Sequence, residues 1–319
     1  MSERSGHQRA SSTNLTKGTT HRLHDGKLAI ITGGSRGIGA AVARNLAAKG
    51  CSLLLVYTSD SSTARTQSLC EELSSTHGVR CVAVQADLSN PTRSSPYIVS
   101  SARNHFSHPV TGKFQIDILI NNAGIAGNKL LNDPEEGPIE ETQFDRIYRV
   151  NVLAPLLLTQ ACAPSLPTDR SGRIVNVSSV SSSIGYEGQS IYAGSKAALE
   201  AMTRTWSREL ADRCTVNAVN PGPVWGDMYA NAGSKFWKIN QPYVDTAPLT
   251  KYDGNDEVKV MAGKDAEEFD KTVKEGMGGR RPGFVEEIAG VIGMLCSEES
   301  GWTTGSVICA NGGMKMSIA

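Results

Sequence analysis

The chain has 319 residues, 32 acidic and 32 basic side chains, and a pI near 7.0. This balance leaves no electrostatic footprint for nucleic acid or an anionic membrane surface, and no apolar run approaches the ~20 residues of a membrane span. Seven cysteines, at 51, 70, 81, 162, 214, 296 and 309, are odd in number and lack metal-type spacing, so reduced thiols in a cytoplasmic, metal-free protein are expected.

Residues 1–25, MSERSGHQRASSTNLTKGTTHRLHD, are rich in Ser, Thr and basic side chains and almost without large apolar ones. Burial cannot offset the ordering entropy of such a segment, which predicts a disordered extension. Its Arg and Ser content also fits an organelle transit peptide, although an amphipathic apolar face is missing. Residues 26–319 are left to form one domain. KLAIIT predicts a strand; a glycine-rich turn follows, then AAVARNLAAKG with helical spacing and a glycine stop. SLLLVY is the next strand, ARTQSLCEELSST a helix, VRCVAVQA a third strand and FQIDILINNAG a fourth. GRIVNVSS, TVNAVNPG and SVICANGG bring the number of strands to seven. Short apolar strands alternating with amphipathic helices indicate an α/β fold with a parallel sheet covered on both faces.

The segment 140–163 contains VNVLAPLLLTQACA, which is apolar on nearly every helical face. It predicts a helix buried all round, with its spare face against another subunit of a symmetric homo-oligomer. Pro155 lies four residues after Asn151 and has no N–H, so the Asn151 carbonyl loses its helical partner and a kink is expected there.

TGGSRGIG links the first strand to the first helix and places Gly33, Ser35, Arg36, Gly37, Ile38 and Gly39 at a helix N-terminus. Glycines allow close backbone approach and the free N–H groups favour a pyrophosphate. A dinucleotide without a 2′-phosphate usually meets an acid at the end of the second strand. Tyr57 stands there instead, followed by Thr58 and Ser59, and Asp60 lies further into the loop. With Arg36 able to fork onto a 2′-phosphate, NADP(H) is the expected cofactor. Asp87, followed by Leu88, ends the third strand and can accept from an adenine amino group or cap the following helix. Asn121, Ala123 and Gly124 end the fourth strand, where small residues let a cofactor lie against the backbone and Asn121 braces neighbouring strands.

In SIYAGSKAAL, Tyr192 and Lys196 are one helical turn apart and share a face. They form either a surface pair or a proton donor with its pKa tuner. TGGSRGIG, Asp87-Leu88, NNAG, Asn151, SS at 178–179, YAGSK and NPGPV at 220–224 occur in order, and together they resemble the short-chain dehydrogenase/reductase family. The resemblance covers about Lys27 to Met314. It implies a single Rossmann-like, doubly wound domain with a seven-stranded parallel sheet and an extended substrate lid, here about 223–280. It implies a catalytic set of Asn151, Ser179, Tyr192 and Lys196. The family spacing of thirteen residues to the tyrosine selects Ser179, with Ser178 the alternative and Ser181 to Ser183 loop residues. By the same resemblance Lys196 holds the nicotinamide ribose, Asn151 supports a water, and Pro221, Gly222 and Val224 flank the nicotinamide. An adjacent ammonium and the oxidised nicotinamide's charge are expected to lower the Tyr192 pKa, leaving it a general acid or base. The Ser179 hydroxyl would donate to the substrate oxygen.

Six of the 18 aromatic residues fall between Trp225 and Tyr252. That density predicts a large or flat substrate beneath the lid, contacted by Trp225, Met228 and Tyr229, or else packing against another subunit. Gly226 replaces the Thr or Ser with which relatives commonly bond the nicotinamide amide. The expected activity is reduction of a bulky aromatic or polyketide-like ketone by NADPH, as in ketoacyl-thioester and hydroxynaphthalene-type reductases. The alternatives are an alcohol or polyol dehydrogenase, and a non-redox NADPH sensor or scaffold. The expected partners are a small ketone or alcohol and further copies of the chain, as tetramer or dimer.

Overall fold

The computed structural model describes residues 22–226, 229 and 233–316. Along the chain run β1 (Leu28–Thr32), β2 (Ser52–Tyr57), β3 (Cys81–Gln85), β4 (Ile118–Asn121), β5 (Asn132–Asp133), β6 (Gly137–Pro138), β7 (Gly172–Val177), β8 (Cys214–Pro221) and β9 (Val307–Ala310). β5 and β6 pair only with each other. The other seven form one parallel sheet in the order β3-β2-β1-β4-β7-β8-β9. β1, β4, β7 and β8 are buried along their whole length, as strands covered on both faces must be. The chain winds outward from β1 to β3, then returns to the other side of β1. That reversal opens a crevice above the carboxyl ends of β1 and β4.

Alternation along β1 builds two cores. Ala29 and Ile31 face α1 (Gly37–Ala48), α2 (Thr63–His77) and the helix Val285–Leu295. Leu28 and Ile30 face α3 (Pro91–Phe106), and beyond α4 (Glu141–Tyr148) also α5 (Ala154–Cys162); past the short α6 (Ser181–Ile184), α7 (Ser190–Glu209) completes this side. The folded part begins before residue 26: His24 is fully buried, Arg22 pairs with Asp25 at 2.9 Å and its guanidinium donates to the His77 carbonyl. The expected extension otherwise lies outside the described residues. All seven cysteines are free thiols. Among the described residues no helix is long and apolar enough to cross a membrane, and no side-chain cluster is placed to hold a metal ion.

The 140–163 segment departs from a single buried helix. Between α4 and α5 stands a π-helical turn, Arg149–Leu153, in which the Ala154 N–H bonds the Arg149 carbonyl five residues back. The wider turn accommodates the donor that Pro155 lacks. Nor is the segment buried all round within the chain: Leu153, Leu156 and Leu157 remain partly exposed and Phe144 is open to solvent.

After β8 the chain makes a long excursion that closes on itself. Val224 bridges Gly283, the Trp225 N–H donates to the Gly283 carbonyl at 2.8 Å and the Gly283 N–H to Pro223 at 2.9 Å. Inside this neck, Tyr229, Tyr252, Phe269, Val273, Met277 and Phe284 form a small core of their own.

Candidate active site

The crevice is assembled from strand ends. Gly33 has φ +64°, and a Cβ there would sit 2.9 Å from Asn122 Nδ2; a Cβ on Gly39 would overlap the Gly33 carbonyl oxygen. The turn therefore folds only with glycine at both places. The Thr32 hydroxyl ties it to β4, accepting from the N–H groups of Asn122 and Ala123 at 3.0 Å each. Arg36 and Gly37 are exposed at the start of α1, with Ser35 and Ile38 partly buried beside them. Tyr57 is buried at the end of β2, whereas Thr58 and Ser59 are exposed. Asp60 accepts from Gln85 Nε2 at 2.6 Å.

Asp87 is exposed, with Leu88 buried behind it. It does not cap α3, whose N-cap is Asn90; its carboxylate accepts from the N–H and hydroxyl of Ser89 at 2.9 and 2.7 Å. Asn121 is a brace: its amide donates to Asn176 Oδ1 at 2.9 Å and to Thr159 Oγ1 at 3.2 Å. Its place beneath the crevice floor follows from those bonds.

Four polar groups meet above β4 and β7. Lys196 is buried on α7, its Nζ donating to the Val177 carbonyl at 2.8 Å and lying 5.7 Å from the Tyr192 ring centroid. A Cβ on Gly124 would stand 3.2 Å from Lys196 Nζ and 3.3 Å from Asn151 Oδ1, so this loop passes against both. Asn151 is buried in the π-turn; it donates to the Ile125 carbonyl (2.9 Å) and Ser195 Oγ (3.0 Å) and accepts from the Ile125 N–H (2.9 Å). Its amide thus fastens the loop after β4 to α7. The Ser179 hydroxyl donates to Ser181 Oγ at 3.1 Å and accepts from the Ser181 N–H at 3.2 Å, and it stands near enough to the Tyr192 phenol to favour its ionised form. Ser178 turns the other way, to Glu200 at 2.6 Å, which separates the two serine alternatives geometrically.

Burial sets the titrations. It pushes the Lys196 ammonium down to about 8, against the attraction of Glu200. It raises the Tyr192 phenol above its ordinary value, and the nearby Ser179 hydroxyl only partly opposes this. The polypeptide by itself therefore does not produce the lowered phenol pKa expected from the sequence. Desolvation of the phenolate outweighs what the neighbouring groups return.

Against known proteins, the sequence model described as short chain dehydrogenase matches residues 27–236. The chain belongs to that family. It is 67% identical over 302 residues, 93% of this chain and 99% of the relative, to L-xylo-3-hexulose reductase of Hypocrea jecorina. It is 60% identical to L-xylulose reductase of Aspergillus niger, covering 92% of this chain and 99% of the relative. Among solved structures it is similar to a blue fluorescent protein from a metagenomic library in complex with NADPH, with TM-score 0.73 and 31% identity, covering 92% and 99% of the two chains.

This short chain dehydrogenase is an oxidoreductase acting on CH–OH or C=O groups, and its substrate side corrects the sequence reading. The expected bulky aromatic ketone is not supported: the relatives are named for sugars. Five of the six aromatic residues that prompted it belong to the small core of the excursion, and Tyr243 packs on Tyr186 instead. Trp225 meets Phe269 edge-on at 5.1 Å, and Tyr229 lies 6.2 Å from Trp237, whose Nε1 donates to the Tyr229 carbonyl. Trp225 and Tyr229 thus belong to the core of the excursion, and Met228 lies outside the described residues. Pro221 is buried, and Gly222 and Val224 are partly buried where β8 runs into the neck. A Cβ on Gly226 would meet nothing within 4 Å, so packing does not demand glycine there. Sequence reasoning passed over Thr32, Asn122 and Glu200. Glu200 carried a readable signal, a carboxylate one turn beyond Lys196 on the same helix face.

Proposed function

We propose that this dehydrogenase is an NADP(H)-dependent reductase of small polyhydroxylated ketones, with Tyr192 as general acid. The sugar-reductase names of relatives at 67% and 60% identity favour a ketose over an aromatic ketone. The observation that carries the chemistry is the buried Lys196 ammonium 5.7 Å from the Tyr192 ring centroid, with the Ser179 hydroxyl beside the phenol.

The residues fit the cofactor. The two sterically required glycines bring backbone N–H groups to the crevice, the exposed Arg36 stands at the turn, and no acid ends β2. Gly33 and residues 35–39 would hold the pyrophosphate; Arg36, Thr58 and Ser59 the 2′-phosphate; Asp87 and Leu88 the adenine end. Ala123 and Gly124, above the Asn121 brace, would form the wall, with Pro221, Gly222 and Val224 at the nicotinamide end. When bound, NADPH supplies the hydride. Tyr192 gives its proton to the carbonyl oxygen of the substrate, and its raised pKa keeps it protonated for that role at neutral pH. Ser179 donates to the same oxygen as negative charge develops there. Lys196 keeps a positive charge behind the phenol and favours recovery of the proton. The excursion over residues 225–283 acts as the lid. The half-exposed leucines of α5 favour a contact with a second copy of the chain, and the free thiols favour a cytosolic setting.

The test is loss of nicotinamide absorbance with a panel of pentuloses, hexuloses and aromatic ketones. Reduction of ketoses with NADPH in preference to NADH is expected. Turnover of aromatic ketones alone, or tight NADPH binding without any turnover, would sink the reading. Tyr192→Phe should keep NADPH affinity and lose ~10²-fold or more in kcat. Light scattering of the eluted protein reads the copy number, and a monomer refutes the subunit contact.

A further inference from the structure

Beneath the site lies a carboxylate that the proposed chemistry does not use. Glu200 is 6% exposed on α7, one turn beyond Lys196. Its Oε1 accepts from Ser178 Oγ at 2.6 Å, Ser182 Oγ at 2.7 Å and Asn220 Nδ2 at 3.2 Å. These donors come from three places: the end of β7, the short helix α6, and β8. Asn220 also bonds Ser182, at 3.2 Å. Ser178 and Ser182 flank Ser179, so one carboxylate oxygen fixes both ends of the turn that carries it. A buried ion is tolerated only with such partners, and a packed apolar residue would be cheaper to bury.

We propose that Glu200 is a positioning residue: it pins the Ser178–Ser182 turn and β8 to the Lys196 face of α7, and its charge compensates the buried Lys196 ammonium. The inference rests on the proposed role of Tyr192, Ser179 and Lys196. Few other charges face this cluster. On α7, Arg204 is exposed; from the C-terminal segment, Lys315 Nζ donates to the Ser183 carbonyl at 3.2 Å. The β7, β8 and α6 neighbours of Glu200 are uncharged serines and an asparagine. Glu200 is therefore the acid acting on Lys196, and the attraction raises that group's titration.

Glu200→Gln, in the full chain, keeps the shape and removes the charge. Carbon-13 lysine NMR reads the Lys196 titration without any turnover. Its midpoint is expected to fall about one pH unit below wild type, since an opposite charge nearby stabilises the ammonium. The alkaline limb of kcat for NADPH-dependent reduction should move the same way, with NADPH affinity unchanged. Glu200→Asp, which retains the charge, should restore the titration. An unchanged Lys196 midpoint in Glu200→Gln overturns the proposal, whatever the melting temperature does. Should that variant not fold, Ser182→Ala reads the pin: a severalfold fall in kcat with KM unchanged supports it, and an unaltered kcat refutes it. Failure of the wild type to reduce any ketose is a separate result, which removes the proposed function and leaves the NMR titration to decide on Glu200.

Discussion

Lys196 Nζ donates to the carbonyl oxygen of Val177 at 2.8 Å, one residue before Ser178 and two before Ser179. The bond ties the helix carrying Tyr192 to the strand end carrying the serines. It also means that the ammonium is held in the core, where its charge is disfavoured.

Burial brings the Lys196 pKa to about 8, well below that of a free lysine. The charge is present below that pH and lost above it, so kcat for reduction is expected to fall as pH rises through about 8. The linkage has the opposite sense for stability. Because the folded pKa is depressed, the unfolded chain binds more protons between about 8 and the free-lysine value, and this group's contribution to stability rises with pH across that window. At neutral pH the buried charge therefore costs stability. Lys196→Met should abolish turnover and remove that rise of stability between about pH 8 and 10, since the titrating group is gone. Urea unfolding at pH 7, 8.5 and 10 measures it in both chains, and an undiminished alkaline rise in Lys196→Met would contradict the account.

Two glycines separate steric need from chemistry. Gly39→Ala puts a methyl into the Gly33 carbonyl, so the turn must open; NADPH affinity should fall at least ~10-fold. Gly226→Ser meets open space and should fold with wild-type stability, within about 0.5 kcal/mol. Fluorescence titration with NADPH and thermal melting check both. Unimpaired binding in Gly39→Ala would show that the turn does not carry the phosphates.

The sheet was legible because its strands are continuous apolar runs bounded by turns, and the pairing of Tyr192 with Lys196 because i, i+4 spacing brings them to one face, whereas the other members of the candidate site came from the family resemblance. The π-turn was legible only in part. Pro155 announced a missing hydrogen bond at Asn151, but the choice between a kink and a wider turn depends on the neighbours that Asn151 reaches, Ile125 and Ser195. The aromatic cluster misled because composition cannot tell a residue that lines a cleft from one that fills a small core. Ile125 and Phe269 find their partners through tertiary closure, which no local period encodes.

The small core of the excursion has its own stability. Phe269 is fully buried there, touching Trp225, Tyr252 and Phe284. Phe269→Ala should loosen it by about 3–5 kcal/mol. The main sheet has separate cores, so the loss should be local. Limited proteolysis is expected to cut between residues 225 and 283 first, with the main melting transition retained and KM for the ketone raised. Simultaneous loss of the whole fold would show that the excursion is not an independent unit.

His24 lies near the start of the described residues and carries a pH signature. It is fully buried, and desolvation, with Lys27 and Lys49 nearby, pushes its pKa down to about 4. Neither ring nitrogen has a hydrogen-bond partner. A depressed folded pKa means that the unfolded chain takes up the proton first. The stabilisation is whole above the free-histidine pKa of about 6.5 and is lost as pH falls towards 4, a change of about 3 kcal/mol. His24→Leu should therefore flatten the acid side of the stability curve while leaving neutral-pH stability within about 1 kcal/mol. Denaturant midpoints at pH 7, 5.5 and 4.5 compare the two chains. Parallel acid losses in wild type and His24→Leu would assign the titration to other groups.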